Sequence, residues 1–493
     1  MASSPRQTPM DPERPTGRLC TWVESLKYHD IPEDIITRAK YLILDGLACC
    51  LVGAHLPSSE KAAAAALDLE VADGSAIVFG WERKVGPLSA ALLNDTFIQG
   101  FELDDWHRDA PIHSNSVLLP ALFAAAEHYG RGTGDTPALH YSGRDLLLAY
   151  VTGCEVGPRV GLGVWGAHVL SKGWHSGAIF GPSAAAAAVA KLFGLSAAAI
   201  EDALGIACTQ AGGLMSAQFE SEVKRMQHAF ASRNGLLAAV LAKGGYVGIK
   251  KVYEREYGGF LAMVSAGNGM QPQFKPEEVS KDLGVKCEIE SIMVKPYASM
   301  AGTHCTIDCI AALRTLYPEK TRDLSNFESI RIEMSEPAYH HGGWKAVRPL
   351  TSTGAQMSNA YIGAVYLVDE EVTPRQFRND KLDRDEVWRL VDITTCECNP
   401  DYSKSPKDKA RTKVTVAFKD GSAPLSHEKG APRGVQPPLS NEEVLNKWRL
   451  VTKGIIDEER RTKIEQIALA LDECDDISAI SKLMTGRTVN PLA

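Results

Sequence analysis

The sequence predicts a mainly α-helical protein, with a large all-helical domain, a smaller inserted α+β lid domain and a cleft between them. Small and apolar residues recur at helical spacing through the first half of the chain. Beyond about residue 284, several segments alternate apolar and charged residues, as strands do. A Ser440 N-cap with Glu443 three residues later then restarts the helical pattern. The last segment is therefore expected to return to the helical domain.

The helical pattern begins after Pro32, where apolar residues recur at steps of three and four. The segments that follow it show the same spacing, separated by turns that contain Gly or Pro: Ala62 to Leu69, Leu88 to Phe101, Val117 to His128, Gly143 to Leu162, Gly181 to Phe193, Ser196 to Gln210 and Gln227 to Lys243. Two alanine runs, Ala62 to Ala66 and Ala184 to Ala188, predict closely packed helices, because alanine loses little side-chain entropy.

The α+β region is predicted from three strand-like segments and three helical ones. The strands are Lys286 to Met293, Ser329 to Met334 and Thr412 to Phe418, and the helices are Cys305 to Tyr317, Ala355 to Leu367 and Arg384 to Val391. A loop rich in Pro, Gly and Lys is expected from Ala423 to Pro438. The expected domains are a disordered leader at 1–16, the helical domain at 17–283, the lid domain at 284–436 and the second helical segment at 437–493.

Composition excludes several classes of partner. The net charge of −8 gives no general attraction for nucleic acid or for an anionic membrane surface. No apolar stretch is long enough to cross about 30 Å of hydrocarbon, and residues 1–15 resemble neither a signal nor a transit peptide. The eleven cysteines lack the spacing of a disulfide framework, which favours a reducing, cytoplasmic location.

The densest polar cluster runs from Glu102 to His113 and holds two histidines among four acids. Asp104 and its neighbouring acids are expected to favour the charged form of His113, giving a proton donor near neutral pH. The alternative is an N-cap for a helix beginning near Ser116, together with solvated surface charge.

Two further clusters carry cationic or titratable side chains in the same half of the chain. His175 lies in a Gly-flanked turn before an alanine-rich helix, whose N-terminus would attract a carboxylate. In the run from Glu220 to His228, followed by Arg233, helical spacing places Lys224, His228 and, less well, Arg225 near one face. This face is either solvated surface or one wall of an anion pocket.

A fourth candidate, Lys295 with Tyr297 and His304, is expected where the first strand of the inserted domain ends. Lys295 can reach a cleft from there or cap the sheet edge. Two metal sites are alternatives to these interpretations. The Asp104 to Asp109 box resembles the magnesium-binding motif of terpene synthases but lacks a second motif, and a site at His304, Cys305 and Cys309 lacks a fourth ligand. No metal is expected.

Several motifs together resemble the MmgE/PrpD family over nearly the whole chain, and most of all its fungal cis-aconitate decarboxylase branch. They are Tyr41-Leu-Ile-Leu-Asp45-Gly-Leu-Ala, Glu102-Leu-Asp-Asp-Trp-His, Ala110-Pro-Ile-His113-Ser, Gly173-Trp-His175, Ala203-Leu-Gly-Ile-Ala207, Met215-Ser-Ala-Gln218 and Arg233-Asn-Gly235. The resemblance implies a helical domain with a lid, a homodimer and no metal or organic cofactor. It also points to Asp104, His113, His175, Lys224 and Lys295 as pocket residues.

The resemblance implies decarboxylation of cis-aconitate to itaconate. The expected mechanism passes through an allylic carbanion, stabilised by cations and protonated by His113 or, as second choice, His175. Lys224, Arg225, Lys295, Tyr297 and His304 are expected to bind the substrate. The alternatives are a hydro-lyase or isomerase of a related tricarboxylate, such as 2-methylcitrate or trans-aconitate, and a non-catalytic dimeric scaffold.

Overall fold

The computed structural model describes residues 7–70, 74–131, 138–217, 221–403 and 410–493. The chain divides into two compact units. Unit 1 contains the described parts of Met1–Gly100, Asp104–Met293 and Glu443–Asn490, and unit 2 contains those of Phe101–Leu103, Val294–Glu442 and Pro491–Ala493. The fold is mainly helical, as predicted. The sequence placed the domain changes near 283 and 436, whereas the unit boundaries fall after Met293 and Glu442.

Unit 1 is a bundle of α-helices with two short antiparallel strand pairs. Its helices are α1 (Pro15–Ser25), α2 (Glu33–Gly53), α3 (Pro57–Asp68), α4 (Pro87–Ile98), α5 (Ser114–Gly130), α6 (Gly143–Gly163), α7 (His168–Ser171), α8 (Ser176–Leu192), α9 (Ala197–Cys208), α10 (Gln227–Lys243) and α11 (Phe260–Val264). Strand β1 (Ala76–Val78) pairs antiparallel with β2 (Arg83–Val85), and β3 (Trp106–His107) pairs antiparallel with β4 (Ile292–Met293).

Helix α8 lies at the centre of unit 1, packed against α5, α6, α9 and α10. Its run Ala184 to Ala188 is fully buried, as the alanine pattern predicts. At Gly235, α10 passes so close to α8 that a Cβ would overlap Ala185 and the backbone of Ala186. The other run differs, because only Ala63 of Ala62 to Ala66 is buried. The prediction of close helix packing through Ala62 to Ala66 is therefore wrong.

The C-terminal segment contributes α19 (Asn441–Thr452), α20 (Glu458–Leu469) and α21 (Ser478–Thr485). Lys447 on α19 forms a buried ion pair with Asp45 on α2, with 2.6 Å between Nζ and Oδ1. Removing one partner of a buried pair leaves an uncompensated charge and costs about 3 to 5 kcal/mol. The pair therefore fixes the end of the chain to its second helix.

Unit 2 is built on a four-stranded sheet in the order β6-β5-β7-β8. Strand β5 (Phe327–Met334) is parallel to β6 (Thr394–Cys398) and antiparallel to β7 (Thr412–Phe418), which is antiparallel to β8 (Leu425–Lys429). The helices are α12 (His304–Leu316), α13 (Pro318–Arg322), α14 (Glu336–Gly342), α15 (Ser352–Met357), α16 (Asn359–Asp369), α17 (Asn379–Leu382) and α18 (Asp385–Asp392). Helix α12 packs on β7 and β8, and α16 packs on β6.

Single turns of 3-10 helix complete the described secondary structure. They are Tyr28–Asp30, Glu222–Met226, Pro276–Val279, Glu288–Ser291, Ala301–Thr303, Leu324–Asn326, Pro374–Phe377, Pro400–Ser403 and Leu471–Glu473. In the described ranges, no helix has both the length and the apolar character needed to cross a membrane.

Several predicted elements differ from the structure. Lys286 to Met293 forms a 3-10 turn and the two residues of β4 instead of one strand, and Ser358 separates α15 from α16 within the single helix predicted from Ala355. Strand β8 lies inside the predicted loop. Residues 1–6 of the predicted leader lie outside the described residues. From Gln7 onward the leader is ordered, because Gln7 and Met10 hydrogen-bond to residues of α9.

Candidate active site

Three histidines, His113, His175 and His228, meet in unit 1 at the N-termini of three helices. His113 is the N-cap of α5, His175 is the N-cap of α8, and His228 is the second residue of α10. The ring of His228 lies 4.7 Å from that of His113 and 4.8 Å from that of His175, measured between centroids. Each helix N-terminus carries roughly half a positive charge and unpaired amide groups. The cluster is therefore a place where an anion is attracted.

Asp104 fixes the orientation of His113. Its Oδ2 lies 2.8 Å from His113 Nδ1 and also accepts a hydrogen bond from the side-chain amide of Gln99. The Asp104 side chain is 1% exposed and that of His113 is 20% exposed, so the carboxylate lies behind the ring and the ring remains accessible. A carboxylate on Nδ1 fixes the orientation of the ring and leaves Nε2 on the side away from that carboxylate.

Asp105, the next residue, has a different role. Its two carboxylate oxygens accept the backbone N–H groups of Ser114 and Asn115, each at 3.0 Å, in the first turn of α5. Burial and the adjacent Asp104 raise the pKa of Asp105, and the two amide hydrogen bonds oppose that rise. Asp105 therefore caps the first turn of α5 with its side chain, as the capping alternative predicts. The N-cap residue itself is His113, the helix begins at Ser114 instead of Ser116, and Asp105 is buried instead of solvated.

The acidic character of the cluster extends below Asp104. Asp95 on α4 is fully buried, and burial together with the charge of Asp104 raises its pKa well above the usual range. Of Asp95 and Asp104, it is Asp104 that contacts the ring of His113.

The loop between Asp105 and His113 is held by a second histidine. His107 is fully buried, its Nδ1 accepts the backbone N–H of Ala110 at 3.0 Å, and its Nε2 lies 3.3 Å from Glu288 Oε2. Burial raises the pKa of Glu288, but His107 and Lys286 outweigh this and bring it to about 2. The β3–β4 pairing fixes the same loop. His107 is therefore a structural residue of the cluster.

The turn before α8 places His175 against His228. A Cβ on Gly177 would overlap the imidazole of His228, so glycine is required for the two helices to approach. The hydroxyl of Ser176 donates to the carbonyl of Pro111, which joins this turn to the loop that carries His113. His175 N donates to the carbonyl of Gly213 at 3.0 Å. Each of the three residues of the His175-Ser-Gly177 motif thus has its own structural role in this turn.

The predicted helical face of Lys224, Arg225 and His228 is wrong, because Glu222–Met226 is a 3-10 turn and α10 begins only at Gln227. Arg225 is buried, and its guanidinium donates to the carbonyl of Gln99 at 3.5 Å. Lys224 is half-buried on the same turn. Two residues named in the sequence motifs, Gln218 and Glu220, lie outside the described residues.

The remaining predicted site residues belong to unit 2. Lys295 is buried and pairs with Glu102, with 3.0 Å between Nζ and Oε2. The hydroxyl of Tyr297 donates to Asp308 Oδ1 at 2.8 Å, and its ring lies edge-on to His304. His304 Nε2 lies 3.0 Å from the carbonyl of Ser299. A role of Lys295, Tyr297 and His304 in the site stays a prediction.

The sequence analysis named His228 only as part of a cationic face and did not assign it to the site. The structure also adds Gln99, behind Asp104, and Ser116, whose Oγ lies 3.2 Å from His228 Nδ1 and donates to the carbonyl of His113. One signal was available for His228, because His113, His175 and His228 each stand at the start of a predicted helix.

Metal ligation is geometrically possible at this place. Asp104, His113 and His228 each offer a ligand atom, and these atoms lie within 4.8 Å of one another. Nitrogen and oxygen ligands of this kind suit zinc. His113 Nδ1 already contacts Asp104, and His228 Nδ1 lies 3.2 Å from Ser116 Oγ.

Comparisons with known proteins agree over nearly the whole chain. The model of the MmgE/PrpD N-terminal domain matches residues 17–273, and that of the MmgE/PrpD C-terminal domain matches residues 297–473. The cis-aconitate decarboxylase-like protein oryM of Aspergillus oryzae is 49% identical over 96% of this chain and 97% of its own. A cis-aconitate decarboxylase of Aspergillus terreus is 43% identical over 97% of each chain. The cis-aconitate decarboxylase of Homo sapiens is 26% identical over 96% of this chain and 94% of its own.

Proposed function

The chain belongs to the MmgE/PrpD family, and on that premise we propose that its histidine cluster decarboxylates cis-aconitate to itaconate and carbon dioxide. Relatives at 43% and 49% identity are named cis-aconitate decarboxylase and cis-aconitate decarboxylase-like protein, which supports this substrate. The observation that carries the proposal is the meeting of three helix N-termini at His113, His175 and His228. The meeting of these N-termini supplies positive potential without any metal.

The substrate carries three carboxylates, and each must exchange its water shell for fixed donors when it binds. The first amides of α8 are such donors, whereas those of Ser114 and Asn115 in α5 already donate to Asp105. We assign the cationic contacts to Lys224, Arg225 and Lys295, with Tyr297 and His304 as further binding residues. The half-buried position of Lys224 next to α10 supports its part in this set.

Loss of carbon dioxide breaks the bond between the methylene carbon and its carboxylate, and the electron pair stays on the carbon. The resulting allylic carbanion spreads its charge across the double bond toward the far carboxylate. Donors aimed at that carboxylate stabilise the transition state more than the ground state, because the charge gathers there only as the bond breaks. The substrate itself thus holds the electron pair, and we propose that no metal or organic cofactor takes part.

His113 then donates a proton to the carbon next to the far carboxylate, which shifts the double bond and gives itaconate. Asp104 on Nδ1 holds the ring so that Nε2 delivers this proton. His113 is the more exposed partner in this pair, whereas His228 is fully buried. His175 is the second choice for the acid, and His228 is a positioning residue between the two rings.

The test is proton NMR of the purified protein supplied separately with cis-aconitate, trans-aconitate, 2-methylcitrate and citrate. We expect itaconate from cis-aconitate alone, no product from His113→Ala, and an unchanged melting temperature in that variant. His128→Ala is the matched control, because His128 lies at the opposite end of α5. Dehydration or isomerisation products would instead favour a hydro-lyase or isomerase. A collapsed His113→Ala protein would indicate a structural role for His113.

We also propose a homodimer in the cytoplasm. Tyr246, Val247 and Tyr257 follow α10 and are 64%, 70% and 98% exposed, which supports burial of this segment in a partner. All eleven cysteines are unpaired, in keeping with a reducing compartment. Light scattering of the purified protein tests the dimer: a mass near twice 53.4 kDa is expected, and a monomer at micromolar concentration would contradict it.

A further inference from the structure

A cavity of about 260 Å³ lies in unit 1 at the C-terminal end of α5. Its floor is formed by side chains from β1, α5 and the segments at Tyr141 and α21, among them Ile77, Ala126, Tyr141, Ile477 and Ser481. These five residues are all buried. The floor is thus an apolar surface interrupted by hydroxyl groups, and the proposed decarboxylation uses none of these residues.

The rim of the cavity has an excess of positive charge. Lys84, Arg131 and Lys482 line it, are exposed and carry permanent charges, and His140 adds a titratable group. Asp476 is the ionised acid of the rim, and both of its oxygens are already engaged by the backbone N–H and hydroxyl of Ser478. Three permanent cations facing one occupied carboxylate favour an anion at the rim.

Two polar groups on the floor are built for a hydrogen-bonding ligand. The Tyr141 residue is only 8% exposed, and its buried hydroxyl has no hydrogen-bond partner among the described residues. Glu127 accepts the backbone N–H of Ile77 at 2.6 Å through Oε2 and lies beside Ser481. A buried hydroxyl without a hydrogen-bond partner costs about 1 to 3 kcal/mol of folding free energy, and a bound acceptor would recover this cost.

From these observations, we propose that this cavity binds a small carboxylate with an aliphatic body. The carboxylate lies among Lys84, Arg131 and Lys482 and accepts a hydrogen bond from the Tyr141 hydroxyl, and the aliphatic part contacts Ile77, Ala126 and Ile477. A purely inorganic anion would leave the apolar floor uncovered, and an aliphatic amine would be repelled by the rim. The cavity therefore selects for both the charge and the hydrocarbon body.

The site is separate from the histidine cluster. Helix α5 rises about 1.5 Å per residue, so Glu127 lies roughly 20 Å along the helix from His113. A ligand in the cavity therefore occupies different space from cis-aconitate at His113. The inference does not depend on the proposed function, because no step of that reaction involves the cavity.

The experiment is a methyl NMR titration of the full chain labelled at isoleucine methyl groups, with sodium butyrate at constant ionic strength. Ile77 and Ile477 report on the cavity, and Ile112, next to His113, reports on the histidine cluster. Butylammonium chloride is the control for charge, because it has the aliphatic body but the opposite charge. Sodium phosphate is the control for the aliphatic body, because it is an anion without one. We expect saturable shifts of Ile77 and Ile477 with butyrate, and none with butylammonium or phosphate at the same concentrations.

Lys482→Ala should weaken butyrate binding about tenfold, the equivalent of one charge-assisted contact. Lys463→Ala is the matched control, because Lys463 is an exposed lysine of α20 that does not line the cavity. Both lysines lie on the surface, so the fold is expected to tolerate either change. Equal shifts with butylammonium, unchanged affinity in Lys482→Ala, or shifts confined to Ile112 would each overturn the proposal.

Discussion

Asp104 and Asp105 are adjacent in sequence, yet they perform different tasks. Asp104 contacts a histidine ring, whereas Asp105 holds the first turn of the helix that begins beside that ring. The sequence analysis considered a functional and a capping interpretation for this acidic run as alternatives. The capping interpretation holds for Asp105, the functional role of Asp104 stays a prediction, and composition alone had no means of dividing the two residues.

Asp104→Asn should lower kcat at least about 100-fold, because the amide no longer holds the proton-donating ring of His113 as the carboxylate does. The melting temperature should be unchanged or higher, since the charge that raises the pKa of both Asp95 and Asp105 is removed. Steady-state kinetics and thermal unfolding of the same preparation check both results. A rate within a few-fold of the parent would contradict the role of Asp104.

Asp105→Asn is the matched variant one residue away. An amide side chain keeps one acceptor for the first turn of α5 and loses the other, so the free energy of unfolding should fall by about 1 kcal/mol. The melting temperature is expected to fall by a few degrees. If Asp105→Asn instead kept full stability and lost activity as Asp104→Asn does, the capping assignment would be wrong.

At the scale of elements, the site consists of helix starts. Periodicity predicted α5, α8 and α10. His113 and His175 precede the first two helices, and His228 is the second residue of the third. The spacing of Gln227 to Lys243 even gives both bounds of α10. The sequence could not give the meeting of these N-termini, because that depends on how α8 packs against α5 and α10.

Gly177→Ala tests the close approach of α8 and α10. The added methyl group would overlap His228, so the ring must move away from His113 and His175. We expect a loss of activity of about 10-fold or more, from misplacement of the cluster. Gly212→Ala is the control, because a Cβ there meets no atom within 4 Å. Equal activities in the two variants would show that the packing at Gly177 is unimportant.

In unit 2, strands were predictable only where their faces differ. Strand β7 buries Thr412, Val414, Val416 and Phe418 on one face, and its alternation predicted the observed bounds. Strand β6 carries Thr, Cys and Glu with little difference between faces, and β8 lies in a segment that composition predicted as a loop. Pairing to β5 and β7 forms both strands, and such long-range pairing leaves no local pattern.

For the whole molecule, Glu127 links stability to pH. Burial raises its pKa from 4.5 to about 7, so the folded protein keeps this proton between pH 4.5 and 7 while the unfolded chain loses it. Stability from this group is therefore full below pH 4.5 and is lost as the pH rises to 7. Glu127→Gln should be more stable than the parent at pH 8, by roughly 2 to 3 kcal/mol, and close to it at pH 4.5.

Thermal unfolding of both proteins across this range measures the difference. A gap between the two melting temperatures that stays constant from pH 4.5 to pH 8 would show that Glu127 does not titrate on folding. Glu60→Gln is a suitable control, because the Glu60 side chain is 47% exposed and forms its own contact with His55.

The family predicted from scattered motifs is confirmed over the whole chain, and this settles more of the function than composition could. Length and charge excluded partners but did not identify a substrate. The acidic net charge of −8 coexists with a cluster of three helix N-termini that attracts anions.

The most direct test of the central claim is the position of solvent hydrogen in the product formed from cis-aconitate in D2O. Protonation by the histidine cluster at the carbon next to the far carboxylate predicts itaconate with one deuterium on its saturated methylene and none on the terminal =CH2 group. Proton NMR distinguishes the two positions. Deuterium on the carbon that lost carbon dioxide, or the methyl-bearing isomer of itaconate as product, would contradict the mechanism.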